Sequence, residues 1–184
     1  MGSLHNGTHC KDDSGKPRSD ICYSTAIWLL IEDENIKSLF NSGVAIRNGL
    51  IDDDYNLVFS GVSLLKLTLI DLGLSIFTAP QEMCLHGAEK YGMGNYEADG
   101  VDISRFCAAM FRHLVGTDDN PGIVMLGDIN SLDCESGNPH IGAVVANALI
   151  ILSLMYERHK KGKHEQIVNT MPKFKIGYFT KDKV

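Results

Sequence analysis

The stretch that decides the fold contains three segments, AEKYGMGNY (88–96), SRFCAAMFRHL (104–114) and DCESGNPHIGAVVANAL (133–149). The second and third segments repeat apolar residues at three- and four-residue steps, which is the period of one face of an α-helix. Together with flanking residues, these positions are Ile103, Phe106, Cys107, Met110 and Leu114 on the first predicted helix and Ile141, Val144, Val145, Ala148, Leu152 and Met155 on the second. The pattern predicts two amphipathic helices with a polar loop between them.

Polar side chains that suit phosphate chemistry lie on the other faces of these two helices. Arg105 and Arg112 are seven positions apart on the first helix, with His113 beside them, and His140 and Asn147 are seven apart on the second. Residues at that separation share one side of a helix. Arginine can hold two phosphate oxygens in one plane. The simpler alternative is that the arginines form salt bridges between helices and that the histidines pack in the core.

The rest of the chain also favours helices over strands. Helical patterns occupy residues 21–31, 60–76 and 81–91, whereas residues 32–56 suit either a short helix or a hairpin-like turn. An alternating pattern, typical of a strand, occurs only at FKIGYF (174–179). We therefore predict a mainly α fold, a helical bundle. Its parts are a mobile arm (1–20), a single domain (21–160) and a short irregular or β-like tail (161–184).

Composition limits the function. The chain has 184 residues and a net charge of -6, which argues against a protein that binds nucleic acid polymers, because such proteins usually present a basic face. The apolar run 58–79 is interrupted by Lys66 and Asp71, so it predicts a buried helix and not a membrane span. Five scattered cysteines without a CxxC pair indicate reduced thiols. We expect a cytoplasmic protein, in the host cytoplasm if it is phage-encoded.

Two carboxylates precede the N-terminus of the last predicted helix. A helix N-terminus favours anions, so Asp133 and Glu135 would compete with a phosphate there unless a divalent cation joined them. Mg²⁺ binds carboxylate and phosphate oxygens together, and Mn²⁺ is also possible. Lys90 and the two arginines would hold the remaining phosphate charge. In this interpretation both carboxylates are exposed.

These motifs, preceded by GKPRSD (15–20), resemble the phage family of the dATP/dGTP diphosphohydrolase N-terminal domain. Its members show a GKPR arm, a KYG-x-x-N-[WY] turn, an Arg-His helix and a D-x-ESG-x-PH segment, in that order. The resemblance covers residues 12–20 and 84–157. That family is similar to the MazG-like all-α NTP pyrophosphatases, which use helix-borne carboxylates and Mg²⁺ to cut between the α and β phosphates.

The resemblance implies hydrolysis of a purine deoxynucleoside triphosphate (dATP or dGTP) to the monophosphate and pyrophosphate, and a fold of the all-α NTP pyrophosphatase type. The site residues expected from it and from the patterns above are Glu135, His113 and His140 for catalysis, Lys16, Arg18, Lys90, Tyr91, Asn95, Arg105, Arg112 and Asn147 for the substrate, and Asp133, Glu135, Glu89 and Asp128 for the metal.

The chain departs from the family pattern in two places. A long stretch separates the GKPR arm from KYG, so residues 32–76 are predicted to be an insertion. Gly127-Asp128 stands where the family usually has Gly-Glu, which shortens a predicted metal ligand by one methylene. The spacing at this place is also altered, with extra residues from 118 to 125, and the altered acidic spacing favours the alternative function, a nucleotide-binding or nucleotide-sequestering protein without catalysis. The apolar content of residues 58–79 and 143–155 predicts a homodimer or a larger assembly.

Overall fold

The computed structural model describes residues 24–92 and 102–161. The helices are α1 (Ser24–Leu30), α2 (Glu34–Ile51), α3 (Tyr55–Asp71), α4 (Gln81–Tyr91), α5 (Ser104–Leu114), α6 (Ile123–Leu126) and α7 (His140–Lys161). Within the described residues, the only β-type pairs are two isolated bridges, Gly116 with Pro121 and Leu132 with Pro139. The prediction of a mainly α fold is confirmed. The predicted arm and the β-like tail lie outside the described residues.

A closely packed pair, α2 and α3, forms one side of the bundle. Asp33 is the N-cap of α2 and Asp54 is the N-cap of α3. In each case the aspartate side chain accepts hydrogen bonds from two backbone N–H groups of the first turn. Gly61 allows the helices to approach closely, because a Cβ atom there would lie 2.8 Å from Ile46 Cγ1. The hairpin-like alternative for residues 32–56 was therefore wrong, since α2 spans 18 residues.

The central helix of the core is α5, which contacts α2, α6 and α7. Eight of its eleven residues are buried. The Phe111 ring meets the edge of the Phe40 ring on α2 at a centroid distance of 6.3 Å, and the Arg47 guanidinium lies 5.4 Å from the Phe111 centroid. Each fully buried side chain of this size stabilises the fold by roughly 1.5–3 kcal/mol. The core thus fixes α5 and every polar side chain that α5 carries.

The longest helix, α7, packs against α3, α4 and α5. Its segment His140–Lys160 is long and apolar enough to cross a membrane by length and composition, but 61% of that window is buried inside the bundle. Burial between three helices is what the core helix of a globular domain requires. Gly142 allows the segment between α3 and α4 to approach α7 closely, since a Cβ atom there would lie 2.7 Å from the carbonyl oxygen of Ala79.

Helix α3 differs from the sequence pattern at both ends, since it begins at Tyr55 and not at residue 60. Helix α3 ends at Asp71, before the predicted end at residue 76, because Gly73 adopts a φ of 71° that an α-helix cannot contain. Helix α4 begins at Gln81, as its pattern predicts, with Pro80 at the N-cap position and without a side chain that caps it. The predicted end at Tyr91 is confirmed.

Candidate functional site

A cleft of about 420 Å³ opens between α4, α5, α7 and the loops that precede α6 and α7. Its apolar lining comes from Met83, Phe106, Ala109, Ala143, Ala146 and Ile150. Its polar lining includes Lys90, Arg112, His113, Asn120, Asp133, Glu135, Ser136 and Asn147. A concave site of this size with a few convergent polar groups is typical of a small-molecule site.

Asp133 is the organising residue of the loop before α7, and it is only 3% exposed. Its Oδ1 accepts a hydrogen bond from Asn120 Nδ2 at 2.5 Å. Its Oδ2 accepts two, from the backbone N–H of Ser136 at 2.9 Å and from Ser136 Oγ at 2.5 Å. The carboxylate therefore ties the loop before α6 to the loop before α7.

These contacts determine the charge of Asp133. Burial alone would raise the pKa of this carboxyl, but the side chains of Ser136 and Asn120, the nearby His113 and the Ser136 N–H favour the ionised form more strongly. Together they lower the pKa of Asp133 from 3.8 to about 2. The residue is thus a buried anion at neutral pH.

Backbone hydrogen bonds and a positive φ angle determine the shape of the loops before α6 and α7. Gly116 has a φ of 105°, and Thr117 and Asn120 exchange backbone hydrogen bonds, which makes a tight turn that directs Asn120 towards Asp133. In the second loop, the N–H of Asp133 donates to Asn138 O at 2.8 Å and the N–H of Gly137 donates to Asp133 O at 2.7 Å. The Asp133 main chain is therefore held as firmly as its side chain.

Two histidines meet beside this carboxylate. His113, from α5, and His140, the first residue of α7, have their Nδ1 atoms 3.0 Å apart. His113 Nδ1 lies 4.0 Å from Asp133 Oδ1. His140 is completely buried, and burial lowers its pKa, against the opposing effects of the Asp133 charge and of the Pro121 and Leu132 carbonyls. His113 lines the cleft, and His140 lies outside its lining.

An ion pair also forms on the cleft wall. Lys90 Nζ, at the end of α4, donates to Glu135 Oε1 at 3.1 Å. The Lys90 ammonium also lies 5.4 Å from the centre of the Tyr91 ring. The hydrogen bond to Glu135 is the largest effect on Lys90, and it raises the pKa of the ammonium group. Both charged side chains remain substantially exposed, at 43% and 59%.

The structure brings together most of the predicted site residues, but not all of them. The cleft lining contains Lys90, Tyr91, Arg112, His113, Asp133, Glu135 and Asn147, and His140 contacts it through His113. Arg105, Glu89 and Asp128 do not line the cleft; Asp128 is exposed and accepts the N–H of Asn130 at 2.9 Å. Lys16, Arg18 and Asn95 lie outside the described residues.

Three features of the site differ from the sequence interpretation. Asp133 and Glu135 were expected to be equivalent exposed carboxylates, but Asp133 is buried and only Glu135 is exposed. Sequence reasoning also missed Asn120 and Ser136. A serine three positions after an aspartate is a signal of a local side-chain turn and could have suggested Ser136. Asn120 had no comparable signal, because its contact spans 13 positions.

Comparison with known proteins gives one match. The family model described as dATP/dGTP diphosphohydrolase, N-terminal, matches residues 61–164. No curated protein and no solved structure matches the chain. The matched region contains every cleft residue named above, whereas the GKPR arm and α2 precede it. Because the match covers more than half of the 184 residues, the chain belongs to the dATP/dGTP diphosphohydrolase, N-terminal, family.

Proposed function

We propose that the cleft binds a purine deoxynucleoside triphosphate and that the protein hydrolyses it to the monophosphate and pyrophosphate. The observation that carries this proposal is the lining of a single cleft by two cations, Lys90 and Arg112, and two carboxylates, Asp133 and Glu135. The family name, that of a hydrolase of dATP and dGTP, supports the same chemistry.

The triphosphate binds at the two cations. Lys90 supplies a mobile point charge at the end of α4, and Arg112 supplies a planar group on α5 that can hold two phosphate oxygens. In the absence of a ligand, Lys90 pairs with Glu135, so a triphosphate has to compete with this carboxylate. An exposed ion pair stabilises a protein by only about 0–1 kcal/mol. Because a triphosphate carries several negative charges, Lys90 should bind it in preference to Glu135.

The base binds along the apolar part of the lining. Phe106, Ala109 and Ala146 present carbon surface from α5 and α7, and the small alanines leave room for a flat ring system. A nucleobase buries its faces well against apolar side chains. The amide of Asn147 is in the lining too, although its Nδ2 already donates to Ala143 O at 2.8 Å, so its Oδ1 is the atom available to a substrate donor.

A divalent cation fits this arrangement. Two carboxylates, Asp133 and Glu135, share the cleft with the phosphate-binding cations, and Mg²⁺ favours carboxylate and phosphate oxygens together. We propose Mg²⁺, with Mn²⁺ as a substitute, and Glu135 as the exposed carboxylate that meets the nucleotide-bound ion. When bound, such an ion would neutralise the negative charge that develops on the leaving phosphates.

In the proposed reaction, a water molecule attacks the α phosphorus. The bond from this phosphorus to the oxygen that bridges to the β phosphorus breaks, and pyrophosphate leaves with the bonding electron pair. Lys90 and Arg112 stabilise the negative charge on pyrophosphate. Glu135 accepts the proton of the water, and His113, which lines the cleft and contacts His140 behind it, orients that water.

Product analysis tests this function. The protein is incubated with each of the four deoxynucleoside triphosphates and Mg²⁺ or Mn²⁺, and the products are separated by ion-exchange chromatography. We expect dAMP or dGMP together with pyrophosphate. Arg112→Ala should lose most of the activity, whereas Lys66→Ala, which removes an exposed cation of α3 outside the cleft, should not. Release of inorganic phosphate or free triphosphate would contradict the proposed position of cleavage.

A second candidate function is nucleotide binding without turnover. It is favoured by Asp128, which stands at the position of a family glutamate and is exposed outside the cleft lining. A protein that lacks one ligand of its metal would retain the phosphate-binding cations and lose the reaction. The same incubation decides between the two functions. Recovery of the nucleotide intact, together with a stoichiometric binding isotherm, would establish the binding protein.

A further inference from the structure

His113, Asp133 and His140 form a cluster with the ligand types of a transition-metal site. One ligand atom from each of the three lies within 4.8 Å of the others. The cluster is fixed by three separate elements, namely α5, the loop before α7, and the first residue of α7. Outer residues also orient the cluster, because Asn120 and Ser136 donate hydrogen bonds to the Asp133 carboxylate. Ligands that are oriented in this way by outer contacts are typical of metal sites.

The Asp133 carboxylate has one acceptor position left over. Two carboxylate oxygens offer about four lone pairs. Ser136 uses two on Oδ2, through its N–H and its hydroxyl, and Asn120 uses one on Oδ1. The remaining lone pair belongs to Oδ1, which is the oxygen 4.0 Å from His113 Nδ1. The free acceptor of the carboxylate is therefore on the oxygen nearest to the histidines.

Among the residues that the structure describes, no lysine or arginine balances the charge of Asp133. Among the described residues, its one ion-pair partner is His113, at the long distance of 4.0 Å. Buried charges in proteins are normally paired or bound to metal ions. A carboxylate that is 3% exposed and faces two imidazoles is consequently short of positive charge.

His140 carries a second unsatisfied group. The ring is fully buried, and its Nε2 atom has no hydrogen-bond partner. The carbonyls of Pro121 and Leu132 lie close enough to affect the ring, but neither meets hydrogen-bond geometry at Nε2. The second nitrogen of a metal-bound histidine usually donates to a carbonyl or a carboxylate, and these two carbonyls are the candidate acceptors for His140 Nε2.

We infer that His113 Nδ1, His140 Nδ1 and Asp133 Oδ1 bind a first-row transition-metal ion, such as Mn²⁺, Co²⁺ or Zn²⁺. Two nitrogens bound to one ion at about 2.0–2.1 Å lie roughly 2.8–3.0 Å apart at octahedral angles and roughly 3.3–3.4 Å apart at tetrahedral angles. The observed 3.0 Å between the two Nδ1 atoms agrees with the octahedral separation. Asp133 Oδ1 lies 4.0 Å from His113 Nδ1 and within 4.8 Å of both histidine ligand atoms, so it has to approach by roughly 1–2 Å on the same basis.

The ligand types determine which ions bind. Two imidazoles and one carboxylate suit ions of intermediate softness, whereas Mg²⁺ prefers oxygen ligands alone. Three protein ligands leave further positions open, and His113 and Asp133 both line the cleft, so those positions face the substrate. The binding of the ion does not depend on the proposed function, but its role does. In that role, the two histidines hold the ion, and the ion orients the attacking water.

Metal titration of the nucleotide-free protein tests this inference. A tag-free chain is titrated with Co²⁺, Zn²⁺ and Mg²⁺ by calorimetry, and Co²⁺ binding is followed through its visible absorption. We expect one Co²⁺ or Zn²⁺ ion per chain and at least 100-fold weaker binding of Mg²⁺. His113→Gln and His140→Gln should each weaken Co²⁺ binding at least 100-fold. The matched control is His86→Gln, which removes a histidine of the cleft lining outside the cluster and should leave the affinity unchanged.

A spectroscopic readout covers the case in which a variant does not fold. Pulsed electron paramagnetic resonance of the wild-type protein with Mn²⁺ should show nitrogen couplings from two imidazoles. Absence of stoichiometric Co²⁺ binding, absence of nitrogen coupling, or an equal loss of affinity in His86→Gln would overturn the inference and leave a hydrogen-bonded histidine pair. Because no nucleotide is present, this result is independent of whether the protein hydrolyses dGTP with Mg²⁺.

Discussion

Lys90 and Glu135 are 45 positions apart in the chain, and their side chains form a 3.1 Å ion pair that links the end of α4 to the loop before α7. The two residues carry opposite parts of the proposed chemistry, since Lys90 binds phosphate and Glu135 accepts a proton and meets the metal ion. Their mutual attraction keeps both in place while no substrate is bound.

Glu135→Gln should separate binding from turnover. The exposed ion pair contributes at most about 1 kcal/mol to stability, so the free energy of unfolding should hardly change. Loss of the carboxylate should abolish metal-dependent hydrolysis. Without a divalent cation, it should tighten triphosphate binding, because Lys90 no longer has a competing partner. Calorimetry and product analysis measure both effects, with Glu82→Gln on the exposed surface of α4 as the control. Retained hydrolysis would contradict the assigned role.

Arg112→Ala should weaken triphosphate binding by roughly 1.5–3 kcal/mol, the usual range for hydrogen bonds to a charged group. Binding of the nucleoside alone should hardly change, because the loss concerns phosphate. Arg112→Lys should recover only part of the affinity, since lysine cannot hold two oxygens in a plane. Titration of both variants with dGTP and with deoxyguanosine checks this. Equal losses for the two ligands would place Arg112 outside the phosphate site.

Asp133→Ala should destabilise the fold. The change removes the acceptor of three hydrogen bonds and leaves the part-buried donors of Asn120 and Ser136 without that partner. Each unsatisfied buried group costs about 1–3 kcal/mol, so we expect a loss of at least about 2 kcal/mol. Chemical denaturation measures it. Glu135→Ala, two positions away and exposed, should cost much less, and similar losses in both variants would argue against the buried network.

Stability should fall in two steps as the pH is lowered. Burial lowers the pKa of His140 below its usual 6.5, so the unfolded chain takes up the proton first and stability declines below about that pH. The pKa of Asp133 is lowered from 3.8 to about 2, so its contribution, of about 2 kcal/mol, is fully present above pH 3.8 and is lost between 3.8 and about 2. Denaturation at a series of pH values should show both steps, and Asp133→Asn should lack the second.

The chain should form a homodimer or a larger assembly. Phe59, Leu67 and Ile70 of α3 and the nearby Phe77 are more than half exposed, which is unfavourable for a surface that faces water. Light scattering at micromolar concentration should give at least twice the 20.2 kDa of one chain. Leu67→Lys should shift the mass towards the monomer, and a wild-type monomer would disprove the prediction.

The sequence predicted the helices better than the site. Helices α5 and α7 follow directly from their apolar periodicity, which depends only on neighbouring residues. The contact between Asn120 and Asp133 depends on how two loops fold onto each other, and no local pattern encodes it. The same is true of the burial of Asp133, since Asp133 and Glu135 look alike in the sequence and differ only because Asp133 points towards α5. Periodicity thus identified the elements, whereas the contacts between loops determined the chemistry.

Helix α4 forms one wall of the cleft, yet none of its residues is buried. Little free energy is needed to move α4 away from the bundle, because few apolar contacts attach it there. Part of the binding free energy of any ligand is therefore offset by the cost of restricting the motion of α4. The cleft consequently favours long substrates that reach both α4 and α5 over short ones that touch only one of them. A nucleoside monophosphate, lacking the outer phosphates, would leave α4 free to move and would depart readily after the reaction.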